Sequence, residues 1–356
     1  MCSPRSCTLS PRACGACGKR EYLLKFLRCP GCQVVYYCGR DHQVEDQIFH
    51  KEKCDEAKKA RVLLEQEEKA VRDYPGGGLL PDNIFENCVG HFWGIVVTRD
   101  YMCARYQLAN TLLSAFGGSG GLVDAVQTAL DHFLDMLRLS RSDEMGVRNV
   151  VPALLIRLNK DQEAYDFVRW YATTGDPDHC DWDDLNLPYL NIKDADVLEA
   201  PAEKWVNSRW IDLSHVVAVI LIKVRTLLDL QAALGIASRA FQALVPDEII
   251  GLVRKQLVGS IVQSRPGILN GGTEGIAHRV ETIKGQIRDL YEAVNEYNPY
   301  FWQLMLDHSV EAAATRPSHY SPKSEEEACL CVGKSLASWL ETPGSFDVMR
   351  SVSQTA

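Results

Sequence analysis

Eight cysteine and histidine residues near the start of the chain form four pairs, and their spacing constrains the fold more than any other feature. The pairs are Cys14 with Cys17, Cys29 with Cys32, Cys38 with His42, and His50 with Cys54. A Cys-x2-Cys turn directs two sulfurs at one metal ion, and residues four apart on a helix project from the same face. The spacing therefore predicts two closed tetrahedral Zn2+ sites, with no coordination position left open for catalysis.

The order of the pairs leaves two connectivities open. Adjacent pairs would build two sites in series, whereas alternate pairs would interlock both sites into one cross-braced unit. A segment of about forty residues has few core residues and gains more from interlocking, although the spacing does not exclude the serial arrangement. The expected ligand sets are Cys14, Cys17, Cys38 and His42 for the first zinc, and Cys29, Cys32, His50 and Cys54 for the second.

Several residues between the ligands resemble the MYND-type zinc finger. They are Cys29-Pro-Gly-Cys-Gln-Val-Val-Tyr-Tyr-Cys38, then His42-Gln43, Asp46 and His50-Lys51-x2-Cys54. The resemblance covers residues 14–54. It implies a two-zinc, cross-braced protein-interaction module that takes short proline-rich peptides.

Two positions depart from the MYND pattern. His42 stands where the family usually has cysteine, and imidazole is an acceptable zinc ligand. Gln47 stands where the family has the tryptophan of its peptide groove. The resemblance therefore implies intact zinc binding and a weakened groove, for which the candidate peptide-binding residues are Gln43, Gln47 and Phe49.

The rest of the chain has the periodicity of α-helices. Apolar residues recur at spacings of three and four, which predicts helices at about 99–115, 121–139, 145–158 and 160–172. Ala129-x3-Phe133 and the turn before Arg148 resemble a tetratricopeptide-type repeat junction. This second resemblance implies stacked helical hairpins that serve as an interaction scaffold. The predicted fold class is mainly α, with a small cross-braced finger followed by an α-helical, tetratricopeptide-like body.

Composition shifts divide the chain into segments. The run Tyr74-Pro-Gly-Gly-Gly-Leu-Leu-Pro81 predicts a domain boundary. The stretch at 173–200 is acidic, which favours a solvated loop. The alternative is an acidic-aromatic docking site around Trp182 and Tyr189. The predicted segments are a disordered arm at 1–13, the finger at 14–54, a linking helix at 55–73, a helical body at 82–311, a linker at 312–327, and a helix with a tail at 328–356.

Charge and hydropathy narrow the class of protein. Residues 1–60 hold eleven Lys and Arg against seven Asp and Glu, while the whole chain has a net charge of -9. This balance argues against a dedicated nucleic-acid binder. The apolar run His215–Ile222 is far shorter than the roughly 20 residues that span a bilayer. The chain starts without an apolar signal core, so we expect reduced thiols and a nuclear or cytoplasmic, intracellular location.

Catalytic motifs do not fit their required contexts. Gly117-Gly-Ser-Gly-Gly121 lies between helical patterns, whereas a nucleophile elbow joins a strand to a helix. Asn87-Cys88 faintly resembles a SET-domain segment, but Val89-Gly90 follows it. We therefore expect a non-enzymatic adaptor whose finger and helical body each bind protein partners. A lysine methyltransferase-related enzyme with a degenerate site and a transcriptional regulator are the alternatives.

Overall fold

Most of the described residues are helical, which confirms the mainly α fold class. A computed structural model describes residues 8–20, 25–77, 81–176, 180–207, 209, 211–240, 257–269, 272–317 and 319–354. They divide into two compact units. The N-terminal unit comprises Thr8–Leu154 and Asp181–Leu187, and the C-terminal unit comprises Leu155–Cys180 and the described part of Pro188–Ala356. No helix in these ranges has the length and apolar character needed to cross a membrane.

The N-terminal unit starts with a two-stranded antiparallel hairpin and continues in helices. Strand β1 (Leu27–Arg28) pairs with β2 (Tyr36–Tyr37), so that Leu27 lies opposite Tyr37. The following elements are α1 (Arg40–Glu45), α2 (Gln47–Arg72), α3 (Ile84–Asn87), 3-10 turns at Phe92–Gly94 and Val96–Thr98, α4 (Arg99–Phe116), α5 (Val123–Leu139) and a 3-10 turn at Val147–Asn149. Helix α6 (Val151–Arg157) follows, and its residues from Leu155 onward are assigned to the C-terminal unit.

Helix α2 differs from the linking helix predicted at 55–73. It begins at Gln47, so the ligands His50 and Cys54 are already part of it. No Gly or Pro interrupts residues 47–72, and helix formation therefore continues through the ligand pair. Its buried face includes the small residues Ala57 and Ala60 and packs against α4.

The division predicted at residues 74–82 also differs from the structure. The compact unit that contains the finger extends to Leu154. The reason is that α2, which precedes residues 74–82 in the chain, packs against α4, which follows them. Residues 78–80 lie outside the described part of the chain. The finger and the first helices of the body therefore share one core.

The residues just before the finger are ordered against this core. Residues 8–13 belong to the arm predicted to be disordered, whereas residues 1–7, with Cys2 and Cys7, lie outside the described ranges. The Ser10 N–H donates to the carbonyl of Gly121 at 2.7 Å, and the Val123 N–H donates to the carbonyl of Ser10 at 3.0 Å. These paired backbone bonds hold the arm at the turn between α4 and α5.

The four helices predicted between residues 99 and 172 are all present. They are α4, α5, α6 and α7 (Asp161–Ala172). Their first and last residues lie within a few residues of the predicted ones, with one exception. Helix α6 starts later than predicted, because a 3-10 turn precedes it. The periodic residues Val126, Ala129 and Phe133 of α5 are fully buried, and α5 packs against α4. The tetratricopeptide-like stacking of these helices stays a prediction.

The C-terminal unit is organised around one long apolar helix, α9 (Leu213–Ala240). Its residues Val216–Leu221 are almost wholly inaccessible to solvent, as expected for a helix that is apolar all round. The other elements of the unit are α7, α8 (Glu203–Val206), α10 (Ile261–Ser264), a 3-10 turn at Pro266–Leu269, α11 (Gly272–Tyr297), α12 (Phe301–Leu306), α13 (Val310–Ala314), α14 (Glu325–Leu340) and α15 (Ser345–Ser353). Helix α9 packs against α7, α11 and α14.

Two cations of α9 are buried with partners. The Lys223 ammonium donates to the carbonyl of Val197 at 2.7 Å and to the side-chain oxygen of Gln286 at 2.7 Å. The Arg225 Nε lies 3.0 Å from a carboxylate oxygen of Asp161. The Arg225 guanidinium also donates to the side chains of Asn159 and Thr342. Since unpaired buried charges are costly, these hydrogen bonds and the ion pair explain how both cations are accommodated in the core.

The acidic loop and the predicted linker both contain local structure. In the C-terminal unit Tyr189 packs on Trp170, with ring centroids 5.0 Å apart; in the N-terminal unit the Arg148 guanidinium lies 5.0 Å from the Trp182 ring centroid. Both aromatic side chains of the proposed docking site therefore have internal partners. Helix α14 starts at Glu325, three residues before the predicted start, because the Ser324 side chain accepts the N–H of Glu327.

Candidate metal centre

Both Cys-x2-Cys turns use the same backbone conformation. The residue after the second cysteine has a positive φ, 69° at Gly18 and 60° at Gln33. Its N–H donates to the carbonyl of the first cysteine, at 2.8 Å to Cys14 and 3.1 Å to Cys29. This tight turn places two sulfurs of each pair on one side of the backbone.

The first ligand cluster brings together one pair from the start of the finger and one pair around α1. Its members are Cys14, Cys17, Cys38 and His42. Cys14 is buried, Cys17 is exposed, and the other two are half-buried. The Cys14 sulfur lies 3.5 Å from the Nδ1 of His42, and the Cys17 and Cys38 sulfurs lie 3.6 Å apart. His42 therefore presents Nδ1 to the centre of the cluster.

The second ligand cluster combines the second Cys-x2-Cys turn with the first turns of α2. We call each Cys-x2-Cys turn a knuckle. Its members are Cys29, Cys32, His50 and Cys54. The Cys29 and Cys54 sulfurs are 3.5 Å apart, and the Cys32 sulfur lies 3.5 Å from the Nε2 of His50. All three sulfurs are buried. His50 presents Nε2, the opposite ring nitrogen from His42.

These distances fit zinc. Zn–S bonds of about 2.3 Å and Zn–N bonds of about 2.0 Å imply tetrahedral edges of about 3.8 Å between sulfurs and about 3.5 Å between sulfur and nitrogen. The sulfur–sulfur distances of 3.6 and 3.5 Å and the two sulfur–nitrogen distances of 3.5 Å agree with these values within a few tenths of an ångström. The Cys38 sulfur and the Nδ1 of His42 are closer, at 2.8 Å. In each cluster all four ligand atoms lie within 4.8 Å of one another. Two zinc ions in cross-braced sites are thus the arrangement that the residues support, and the serial pairing is excluded.

The second donor set changes its protonation with the metal. In the metal-free site, burial and the hydrogen bond with the Cys29 side chain raise the pKa of the Cys54 thiol to about 12. A bound Zn2+ reverses this effect because it binds thiolate. A Cβ on Gly31 would overlap the Cys54 sulfur, so glycine at this position leaves room for the ligand.

Contacts from the body support the second cluster. The ring of Phe116, the last residue of α4, lies 5.8 Å from the His50 ring, centroid to centroid. Arg12 of the arm pairs with Asp124 of α5 at 2.5 Å, and its guanidinium lies 4.3 Å from the centroid of the Tyr36 ring. The finger is therefore packed onto the α4–α5 hairpin through both its ligand helix and its arm.

The three candidate peptide-binding residues lie beside the ligands on α1 and α2. Gln43 is half-buried and accepts a hydrogen bond from Arg40 at 3.1 Å, and Gln47 is exposed. Phe49 is 83 % exposed at the edge of a cavity of about 220 Å3, which His50, Phe116 and Leu122 also line.

Sequence reasoning missed two apolar neighbours of these residues. Val44 is 58 % exposed and Ile48 is 85 % exposed, and both lie within five residues of Phe49 along the chain. We call Val44, Ile48 and Phe49 the apolar face. The sequence signal was their position among the zinc ligands, because a finger of about forty residues has a core too small to bury every large apolar side chain.

Comparison with known proteins identifies the finger. Residues 14–54 match the MYND finger family, the same range that the ligand pattern delimits. A MYND finger is a zinc-binding protein-interaction module. No curated protein and no solved structure matches the chain.

Proposed function

From a MYND finger at residues 14–54, we propose that this chain is a non-enzymatic adaptor that binds protein partners through the finger and through its helical body. The observation that carries the proposal is the apolar face. Ile48 and Phe49 expose more than four-fifths of their surface next to a zinc ligand, His50. Exposed apolar clusters of this kind commonly mark sites of protein association.

The cavity beside Phe49 supplies a place for an anchor residue. Its lining combines Val35 and His50 of the finger with Phe116 and Leu122 of the α4–α5 hairpin. An apolar side chain of a partner would fill this cavity, and the rest of the partner would cover the apolar face. Both contacts remove apolar surface from water, which favours binding. The family's preference for proline-rich peptides is compatible with an aromatic-lined groove.

Quantitative affinity capture with the full-length, zinc-loaded chain tests the finger surface. The double variant Ile48→Ser, Phe49→Ser should lose a set of bound proteins that the wild type retains. Val96→Ser is the matched control, because Val96 is 71 % exposed on the same unit but distant in sequence from the zinc ligands. Equal capture by all three proteins would contradict a finger surface.

The same experiment addresses the helical body. Proteins that the double variant captures as well as the wild type does must bind outside the apolar face. Loss of every captured protein in the double variant would contradict a second surface on the body. A full-length chain is the appropriate reagent, since removal of residues before Pro81 would uncover the face of α4 that α2 covers.

The ligand sets argue against catalysis at the two zinc ions. Each zinc would have four protein ligands, so neither ion keeps an open position for water or substrate. Titration calorimetry with S-adenosylmethionine tests the methyltransferase alternative directly. Saturable binding of this cofactor to the full-length chain would overturn the adaptor proposal.

A further inference from the structure

Arg61 bonds to the backbone of the second zinc knuckle from a position outside the MYND match. It lies on α2, seven residues after the ligand Cys54. Its guanidinium donates to the carbonyl of Gly31 and, at 2.7 Å, to the carbonyl of Cys32. One planar guanidinium thus binds the carbonyls of two successive residues, Gly31 and Cys32. Both belong to the knuckle that supplies two of the four zinc ligands.

The spacing along α2 explains how one helix does both tasks. Residues seven apart complete about two turns and lie on the same face of a helix. Cys54 and Arg61 therefore both point at the knuckle formed by Cys29–Cys32, with the small residue Ala57 buried between them. The helix supplies a sulfur from one turn and a guanidinium two turns later.

The charge of Arg61 complements the site. Three thiolates and one imidazole around Zn2+ carry a net charge of about -1, and arginine stays cationic under all ordinary conditions. The guanidinium is half-buried, so solvent screens this attraction less than it would at the surface.

We propose that Arg61 is a positioning residue for the second zinc, which fixes the Cys29–Cys32 knuckle in its coordinating conformation and offsets the negative charge of the thiolate site. The proposal does not depend on which partner the chain binds. It extends the metal site of this protein two helical turns beyond the last ligand.

The first zinc site provides an internal comparison. Within the described ranges no side chain donates to the carbonyls of its knuckle, Cys14–Cys17, which uses only backbone bonds such as that from Gly18 to Cys14. A change at Arg61 should therefore affect one zinc and not the other. General loss of folding would affect both.

The kinetics of zinc release from the full-length chain test the proposal. Excess chelator with a metallochromic indicator resolves the two ions, and a Cys17→Ser variant identifies the phase that belongs to the first site. Arg61→Met keeps the aliphatic stem and removes both donors and the charge. We expect it to release the second zinc at least about 10-fold faster, the effect typical of lost outer-shell partners, and to leave the first phase unchanged.

Two further variants separate positioning from stability. Lys58→Met removes a cation from an exposed position of the same helix and should behave as the wild type. Arg61→Lys keeps the charge but cannot bond both carbonyls in plane, so its second phase should lie between those of Arg61→Met and Lys58→Met. If Arg61→Met does not fold, the test is the rate of the second zinc-release phase in Arg61→Lys compared with that in Lys58→Met. A faster second phase in Arg61→Lys supports the positioning role, and equal rates contradict it.

A spectroscopic readout completes the test. In the Co2+-substituted protein, the sulfur-to-metal charge-transfer bands report the geometry of the thiolates, and Arg61→Met should shift the bands of one site. The proposal is overturned if both release phases accelerate equally, if the Arg61 variants match Lys58→Met, or if the Co2+ spectrum is unchanged.

Discussion

The hydroxyl of Tyr37 donates a hydrogen bond to Asp46 at 2.7 Å, and this contact links the two zinc sites. Tyr37 is completely buried and directly precedes the ligand Cys38 of the first site. Asp46 lies between α1, which carries His42, and α2, which carries His50. The bond therefore ties the strand of one site to the junction of the helices that supply both histidines.

Loss of this bond should weaken the whole finger. Tyr37→Phe removes the hydroxyl and leaves the Asp46 carboxylate without its donor, which should lower the free energy of unfolding by about 1–2 kcal/mol. The packing of the ring against His50 is kept, so zinc should still bind at two ions per chain. Chemical denaturation of the zinc-loaded variant measures the change. A stability equal to the wild type would show that the bond is dispensable.

The two zinc ions should leave at different rates. The first site has an exposed sulfur, Cys17, whereas all three sulfurs of the second site are buried. A chelator reaches an exposed ligand first, so we expect two zinc ions per chain by elemental analysis and a biphasic release in which Cys17→Ser accelerates the faster phase. A single phase, or fewer than two ions in freshly purified protein, would contradict this prediction.

His42 should tolerate a change to cysteine but not to alanine. Thiolate and imidazole both occupy a tetrahedral zinc position, so His42→Cys should keep two zinc ions and the fold. His42→Ala opens the first site and should reduce the zinc content to one per chain, with loss of part of the finger. Elemental analysis and circular dichroism distinguish the two variants. Retention of both ions by His42→Ala would show that the ligand assignment is wrong.

Gly31 and Gly39 form a matched pair for testing the space around the second zinc. A Cβ at Gly31 would overlap the Cys54 sulfur, whereas a Cβ at Gly39 would meet nothing within 4 Å. Gly31→Ala should therefore cost about 1–3 kcal/mol, as overpacking of a core does, and should speed the release of the second zinc. Gly39→Ala should change stability by less than about 1 kcal/mol. Equal effects at both positions would argue against steric control of this site.

Asp143 should give the stability a measurable pH dependence. Burial raises its pKa from 3.8 to about 6, against the hydrogen bonds that the carboxylate accepts from the N–H groups of Arg148 and Val147. The folded state thus holds a proton that the unfolded chain releases near pH 4, and its stability falls as the pH rises through 6.

Asp143→Asn removes this titration. The free energy of unfolding of the wild type, taken relative to that of Asp143→Asn, should decrease by on the order of 1 kcal/mol between pH 5 and pH 8. Zinc loss at the lower pH affects both proteins and cancels in the difference. A difference that stays constant, or one that increases with pH, would contradict the prediction.

The sequence predicted those features that depend on local spacing. The zinc ligands follow from covalent intervals of two and three residues between partners, and the helices at 99–172 follow from apolar periodicity. Helix α11 ends at Tyr297, directly before Asn298-Pro299, because proline cannot continue a helix. The early start of α14 was also readable from Ser324 and Glu327, which have the spacing of a helix-capping pair.

The tertiary structure decided the features that depend on which distant surfaces meet. Spacing left serial and cross-braced zinc sites open, and only the fold brings Cys17 beside Cys38, and Cys29 beside Cys54. Likewise, glycines and prolines at 74–81 predicted a boundary, but α2, which precedes them, packs against α4, which follows them, and this contact between distant segments exists only in the fold. The contact of Arg61 with the second knuckle has the same origin, because a hydrogen bond to a backbone carbonyl leaves no mark on the residue types it joins.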